Sequence, residues 1–199
     1  LASAAGITSI TNAASATALT LNNVQTGLTD IIINTVSVNT NIQFEEASNS
    51  GTADSLKLTL QGHGGEGGAD DVGEITFTVA SGTNKLETLN LVSEGSVNGV
   101  ERLNTTAVGT TTLNITGGEN LTITEDLNTE ITTVGASAAT GDINIEVGNI
   151  AAAGVSVTLG SGDDTLETQG KKDTIIGGAG SDTITVNAQD GTNSITGGA

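Results

Sequence analysis

The chain lacks cysteine, methionine, proline, tryptophan and tyrosine, and its only aromatic residues are Phe44 and Phe77. Without cysteine it can form neither disulfides nor thiolate metal sites. This absence does not indicate a reducing compartment, because many secreted bacterial proteins avoid cysteine. A core restricted to Leu, Ile, Val, Ala and Thr suits thin, stacked coils better than a globular centre built around aromatic side chains.

Positive charge is also scarce. Five Lys and Arg residues face 23 Asp and Glu residues, which gives a formal net charge of −18. A surface this negative repels nucleic acid and anionic lipid, so neither is expected as a partner, and it raises the local concentration of divalent cations. No apolar run approaches the length of a transmembrane helix, and no signal-peptide pattern is present at the N-terminus. We therefore expect no direct membrane insertion.

Catalytic motifs are missing as well. The sequence contains no G-x-S-x-G elbow, no H-E-x-x-H helix and no phosphate-binding loop between a strand and a helix. Paired carboxylates occur at Asp163/Asp164, Asp70/Asp71, Glu45/Glu46 and Glu125/Asp126. Nothing in these pairs distinguishes an acid from a base, as general acid–base catalysis would require. We expect that the chain is not an enzyme.

The single histidine, His63, lies in a glycine-rich connector at 61–73. Together with Glu66, Asp70 and Asp71 it could bind a transition metal, because imidazole and carboxylates are ligands for such ions. The alternative is a flexible surface hairpin loop between two strands. The many glycines leave the potential ligands unpositioned, which favours the loop.

One nine-residue unit is present three times in register: LGSGDDTLE (159–167), TQGKKDTII (168–176) and GGAGSDTIT (177–185). Positions 7 to 9 of each unit are β-prone, and their central aliphatic residue can point inward. Positions 1 to 6 then form a turn, in which glycines allow positive φ and expose carbonyl groups. The sixth position supplies a carboxylate in every unit, at Asp164, Asp173 and Asp182.

Hard cations such as calcium take six to eight oxygen ligands from carboxylates and carbonyls, and stacked turns of this kind supply both. If successive units alternate between two edges, Asp164 and Asp182 bracket one ion, and turn glycines add carbonyl ligands. These glycines are Gly160, Gly162, Gly178 and Gly180. The other edge pairs Asp173 with Asn193 of a degenerate fourth unit, AQDGTNSIT (188–196). This second site should be weaker, because Lys171 and Lys172 lie in its turn.

The third unit spells G-G-x-G-x-D-x-U-x, where U is aliphatic. In this motif the chain resembles the RTX nonapeptide repeats, in which each unit is half a coil of a parallel β-roll. The resemblance implies an all-β fold, a parallel β-solenoid or β-roll, with calcium as its cofactor.

Upstream of the repeats the chain reads as short β segments. Alternation predicts strands at 36–44, 56–60 and 75–79, and residues 1–20 should form a strand or an extended segment. Aliphatic residues at intervals of roughly eight to twelve continue into the repeats and predict a single stack. The inward-pointing anchors of this stack are Leu113, Leu121, Ile131, Ile143, Val155, Leu166, Ile175, Ile184 and Ile195.

Three regions follow: a smaller β-rich region at 1–84, irregular solenoid coils at 85–158, and a calcium-binding β-roll at 159–199. The strings LETLNL (86–91) and TTLNITGGENLTIT (111–124), with the segment at 131–141, resemble the solenoid body of RTX-containing bacterial surface-layer (S-layer) proteins. Because the chain begins without Met and ends on Gly-Gly-Ala, the start of a further unit, we expect a C-terminal-region fragment of a longer protein.

The S-layer resemblance implies a structural role at the bacterial cell surface, with export by type I secretion, calcium ions stapling the solenoid, and self-association into a two-dimensional lattice. Two alternatives stay open at this point. The chain could be a binding segment of a large secreted RTX adhesin, or the non-catalytic part of a secreted RTX enzyme whose catalytic domain lies elsewhere.

Overall fold

Alternating short β segments wind into a parallel β-solenoid in this computed structural model, which describes residues 7–25, 28–34, 38–45, 53–64, 73–81, 85–148, 154–170, 172–187 and 191–198. These residues contain eighteen strands and one short 3-10 turn at Thr106–Val108, but no α-helix. The predicted all-β parallel roll is therefore confirmed. The strands are β1 Ser9–Ala13, β2 Leu19–Val24, β3 Asp30–Asn34, β4 Thr40–Phe44, β5 Ser55–Gln61, β6 Ile75–Val79, β7 Thr88–Glu94, β8 Asn98–Val100, β9 Leu103–Asn104, β10 Thr112–Gly117, β11 Leu121–Ile123, β12 Thr133–Ala139, β13 Ile143–Val147, β14 Ser156–Thr158, β15 Thr165–Thr168, β16 Thr174–Ile176, β17 Thr183–Val186 and β18 Ser194–Thr196.

The strands form three sheets. Nine of them make one continuous sheet in the order β1-β3-β5-β7-β10-β12-β14-β16-β18, and the remainder make a four-stranded sheet (β2-β4-β6-β9) and a five-stranded sheet (β17-β15-β13-β11-β8). Successive strands alternate between the nine-stranded sheet and one of the smaller sheets, as each coil of a solenoid requires. The nine-stranded sheet runs through all three predicted regions, whose division stays a prediction.

In-register aliphatic rows fill the interior. One row of the nine-stranded sheet starts at Leu56 and Leu89 and continues through five further strands, at Leu113, Val134, Val157, Ile175 and Ile195. The alternation of strand side chains directs every member of this row inward. Phe44 and Phe77 are both buried and stack with ring centroids 6.3 Å apart. The core is thus a thin aliphatic layer with a single aromatic pair.

Most of the predicted anchors are buried. Leu113, Leu121, Ile131, Ile143, Val155, Leu166 and Ile175 are at most 3% exposed, and Ile184 packs partly buried against the core. Ile195 is the exception, because 51% of its surface is exposed. It lies on β18, the edge strand of the nine-stranded sheet, which pairs only with β16. The prediction of Ile195 as an inward anchor is therefore wrong for this coil.

The predicted strand at 36–44 is shorter than expected. Strand β4 begins at Thr40, and its inward positions Thr40, Ile42 and Phe44 are buried as the alternation requires. Residues 35–37 lie outside the described residues. The preceding strand β3 belongs to the nine-stranded sheet and β4 to the four-stranded sheet. A corner of the coil therefore separates segments that composition alone merges.

The connector that contains His63 is not a surface hairpin, so that prediction is wrong. Strands β5 and β6 on either side of it lie in different sheets, and His63 is fully buried. The His63 and Gly73 carbonyls accept hydrogen bonds from the N–H groups of Gly99 (2.7 Å) and Glu101 (3.2 Å), which fix both ends of the connector on the next coil. The proposed ligands Glu66, Asp70 and Asp71 lie outside the described residues.

The His63 ring is buried without a hydrogen bond at either nitrogen. Burial lowers the pKa of His63 to about 4, and the nearby Gly73 carbonyl opposes this shift only in part. The neutral ring therefore serves as an internal packing group at neutral pH.

Candidate metal centre

The nonapeptide turns stack on two edges of the solenoid. Strands β14, β16 and β18 belong to the nine-stranded sheet, whereas β15 and β17 belong to the five-stranded sheet. The turns at 159–164 and 177–182 therefore cross in the same direction and share one edge, which we call the first edge. The turns at 169–173 and 187–193 share the opposite, second edge. The predicted alternation of successive units between two edges is confirmed.

Asp164 on the first edge is 1% exposed. Its carboxylate accepts hydrogen bonds from the backbone N–H groups of Ile143 (2.8 Å) and Gly160 (3.1 Å). Burial raises the pKa of this carboxyl, the two N–H donors counteract the rise, and the neighbouring carboxylates of Asp182 and Asp142 add to it. The side chain thus ties its own turn to the preceding coil.

Asp182 repeats this arrangement one coil later. Its Oδ1 accepts a hydrogen bond of 3.2 Å from the backbone N–H of Asp164. The Asp164 carbonyl in turn accepts one of 2.8 Å from the N–H of Thr183. The structure therefore brings the two predicted carboxylates into adjacent turns, but aims each of them at the backbone of the coil before it.

The turn glycines of the first edge pack carbonyl against backbone. A Cβ atom on Gly178 (φ +94°) would lie 2.0 Å from the Gly160 carbonyl oxygen, and one on Gly180 (φ +111°) would lie 2.2 Å from that of Gly162. Only glycine allows both the left-handed backbone and this approach. All four predicted glycines therefore lie together, and the turns bring carbonyl oxygens close to the carboxylate ladder.

A second ladder of polar side chains runs beside the first, in the opposite sense. Asn120 Oδ1 accepts from the N–H of Asp142, Asp142 Oδ1 accepts from Asp163, and Asp163 Oδ1 accepts from Ser181, at 2.9, 2.8 and 2.8 Å. Sequence reasoning missed Asn120 and Asp142. The available signal was the pair of Gly-containing turns at 117–120 and 140–142, which end in a short polar residue ahead of an aliphatic strand.

On the second edge, Asn193 Oδ1 accepts a hydrogen bond of 2.7 Å from the backbone N–H of Asp173. This is the same contact that Asp182 makes with Asp164. Asp173 is 1% exposed, and its Oδ1 accepts 3.0 Å from the N–H of Val155. Its Oδ2 is buried without a hydrogen-bond partner. Lys172 beside it is exposed and has a left-handed backbone with φ 72°.

These residues fit a hard cation. The buried, unpartnered Oδ2 of Asp173 is an anionic oxygen without a donor, and such a group is costly unless a positive charge or donor meets it. No group of three or more His, Cys, Asp and Glu side chains able to hold a metal occurs within the described ranges. Carboxylates alone therefore cannot complete a site, and backbone carbonyls of the glycine turns must supply the other ligands.

Comparison with known proteins points to the same segment. A family model of the RTX calcium-binding nonapeptide repeat, in four copies, matches residues 158–192. Comparisons with curated proteins and with solved structures give no match. No helix of the described residues is long and apolar enough to cross a membrane. The stacked turns are therefore RTX nonapeptide repeats, which are calcium-binding motifs, and they support an RTX-type protein.

Proposed function

We propose that this chain is a structural, calcium-dependent segment of a bacterial surface layer, in which calcium ions between stacked turns staple the solenoid. The alignment of Asp164 with Asp182 in successive first-edge turns carries the proposal. On this edge Asp164 and Asp182 would be the carboxylate ligands, with carbonyl ligands from the glycine turns at 160–162 and 178–180. On the second edge the proposed ligands are Asp173 and Asn193.

The coils themselves support a role for the ion in folding. Strand pairing places Leu91 on Leu58 in an early coil but Ile175 on Val157 in the repeats, so that the loop length between stacked partners falls from 33 to 18 residues. The short coils have little core: Ile184 is only partly buried and Ile195 is exposed. An ion that binds only the folded turns stabilises them by mass action. It also offsets repulsion in a chain of net charge −18.

This dependence suits export and assembly outside the cell. RTX repeat proteins are typically secreted, and a low calcium concentration in the cytosol would leave the repeat coils unfolded until the chain exits. After export, calcium would order the repeats and so present rigid solenoid faces to neighbouring subunits of a lattice. The chain itself would contribute no catalysis.

Far-UV circular dichroism of the chelated chain, titrated with calcium and separately with magnesium, tests the proposal. We expect a cooperative gain of β signal with calcium alone, because magnesium demands stricter octahedral geometry and keeps its water. The gain should be lost in the double variant Asp164→Ala/Asp182→Ala. Negative-stain microscopy of the calcium-loaded chain should then show ordered two-dimensional arrays.

Two outcomes would contradict the proposal at different levels. A chain that folds fully in chelator and ignores calcium would remove the stapling role. A chain that folds with calcium but forms no arrays, and instead binds to cell surfaces as a monomer, would favour an adhesin segment over a surface-layer role.

A further inference from the structure

Charge is distributed unevenly over the two faces of the solenoid. The nine strands of the long sheet carry only three charged side chains, Asp30, Lys57 and Glu94. Two of them neutralise each other, because Lys57 Nζ lies 2.7 Å from Asp30 Oδ2. The outward side of this sheet, which we call the broad face, therefore has a net charge of −1 in a chain of −18.

The opposite face carries acidic clusters instead. Glu146 and Glu167 are paired neighbours on β13 and β15. Desolvation raises the pKa of the adjacent Asp126, and a hydrogen bond and the charge of Glu146 raise it further, followed by the charges of Glu125 and Glu167. Two copies that approached through this face would bring like charges together.

From β10 to β18 the broad face is free of charge and rich in hydroxyl groups. Seven consecutive strands place a Ser or Thr in the same register row, at Ser55, Thr88, Thr112, Thr133, Ser156, Thr174 and Ser194. Each hydroxyl can both donate and accept a hydrogen bond, so the row is complementary to a second copy of itself. An apolar contact is available on the same face at Ile176, which is 42% exposed.

The dimensions of the broad face are sufficient for a contact between proteins. Nine strands about 4.8 Å apart span about 38 Å, and five residues of about 3.3 Å each give about 17 Å, so that the face offers roughly 600 Å². Two such faces bury roughly 1,200 Å² in total, the lower end of standard specific interfaces.

We propose that the broad face is the surface through which two copies of this chain associate, face to face about a two-fold axis. A two-fold contact brings the same patch of both copies together, as a self-complementary hydroxyl row requires. It also buries almost no net charge, whereas every other approach brings carboxylates together. This inference deepens the proposed function, on whose lattice it rests, by naming the face that subunits use.

Paired glutamate substitutions with a matched control test the inference. Ser156 and Thr174 are register neighbours on the broad face, and Thr165 and Thr183 are register neighbours on the five-stranded sheet; all four are exposed. In sedimentation equilibrium with saturating calcium, the unmodified chain and Thr165→Glu/Thr183→Glu should both dimerise. Ser156→Glu/Thr174→Glu should raise the dimer dissociation constant at least about tenfold, because its added charges face each other.

Because the chain lacks cysteine, single Cys variants give a second readout that does not depend on added charge. Under mild oxidation Thr174→Cys should form disulfide-linked dimers much faster than Thr183→Cys. Circular dichroism confirms that each variant folds. A monomeric unmodified chain at all concentrations, or equal effects on the two faces, would overturn the inference.

The outcomes also separate this inference from the proposed function. A chain that gains β signal with calcium yet stays monomeric refutes the broad-face contact and leaves calcium stapling intact. A chain that ignores calcium but dimerises through the broad face refutes stapling and retains the contact.

Discussion

The backbone N–H of Asp164 lies 3.2 Å from Oδ1 of Asp182, to which it donates a hydrogen bond across two successive turns. The Asp164 carboxylate makes the equivalent contact with the N–H of Ile143 one coil earlier, at 2.8 Å. Each carboxylate of the first edge therefore satisfies a backbone donor of its neighbour. The aspartates have a structural role in the turns in addition to their proposed role as calcium ligands.

Replacing Asp164 with alanine should be strongly destabilising. The substitution leaves the N–H groups of Ile143 and Gly160 buried without an acceptor, and each such group costs about 1–3 kcal/mol. We expect a loss of at least about 3 kcal/mol in the free energy of unfolding, measured with urea at saturating calcium. Asp163→Ala is the matched control, because its exposed carboxylate accepts only from Ser181 and should cost under about 1 kcal/mol. Equal losses would argue against the ladder.

Glycine is required at Gly180 but not at Gly197. Gly180→Ala introduces a Cβ 2.2 Å from the Gly162 carbonyl oxygen at a φ of +111°, whereas a Cβ on Gly197 meets nothing within 4 Å. We expect Gly180→Ala to lower the free energy of unfolding by about 2 kcal/mol or more and to weaken calcium binding. Gly197→Ala should stay within about 0.5 kcal/mol of the unmodified chain. Thermal unfolding at fixed calcium distinguishes them, and a tolerated Gly180→Ala would mean that the first-edge turns are not stacked this closely.

The repeats were predictable in more detail than the rest of the chain. Identical spacing at Asp164, Asp173 and Asp182 fixed the phase of strands and turns, so that the alternating edges followed from the sequence. The direction of the carboxylates did not follow, because spacing places a side chain in a turn without saying whether a backbone donor or an ion meets it. That choice depends on the coil packed alongside.

Upstream, local composition misled where tertiary packing decides. The glycines around His63 indicated a flexible loop, yet hydrogen bonds from Gly99 and Glu101 fix its ends, and the ring fills space in the core. Alternation from Val36 to Phe44 likewise suggested a single strand across a corner of the coil. Neither feature can be recognised without the neighbouring coil.

The buried His63 should make stability depend on pH. Its pKa in the fold is about 4, below the ordinary value of 6.5, so the fold binds fewer protons here than the unfolded chain. The stabilising contribution of the neutral ring is complete above pH 6.5 and is lost as the pH falls toward 4, by about 3 kcal/mol at pH 4. Urea unfolding of the unmodified chain and of His63→Gln between pH 7 and pH 4 isolates this term, since acidic residues titrate in both. Parallel pH profiles would show that the ring is hydrated in solution.

The second edge offers a gain-of-function test. Asn193 Oδ1 already accepts the N–H of Asp173 as Asp182 accepts that of Asp164, so Asn193→Asp should keep this bond and supply the carboxylate pair of the first edge. Calcium affinity rises with the number of charged ligands. We expect the calcium concentration at the midpoint of folding to fall about tenfold, while in chelator the added charge near Asp173 lowers stability. Thr192→Asp adds the same charge at the adjacent exposed residue and is the control. If both variants lower the midpoint equally, the gain reflects general attraction of calcium to negative charge, and Asn193 is not a ligand position.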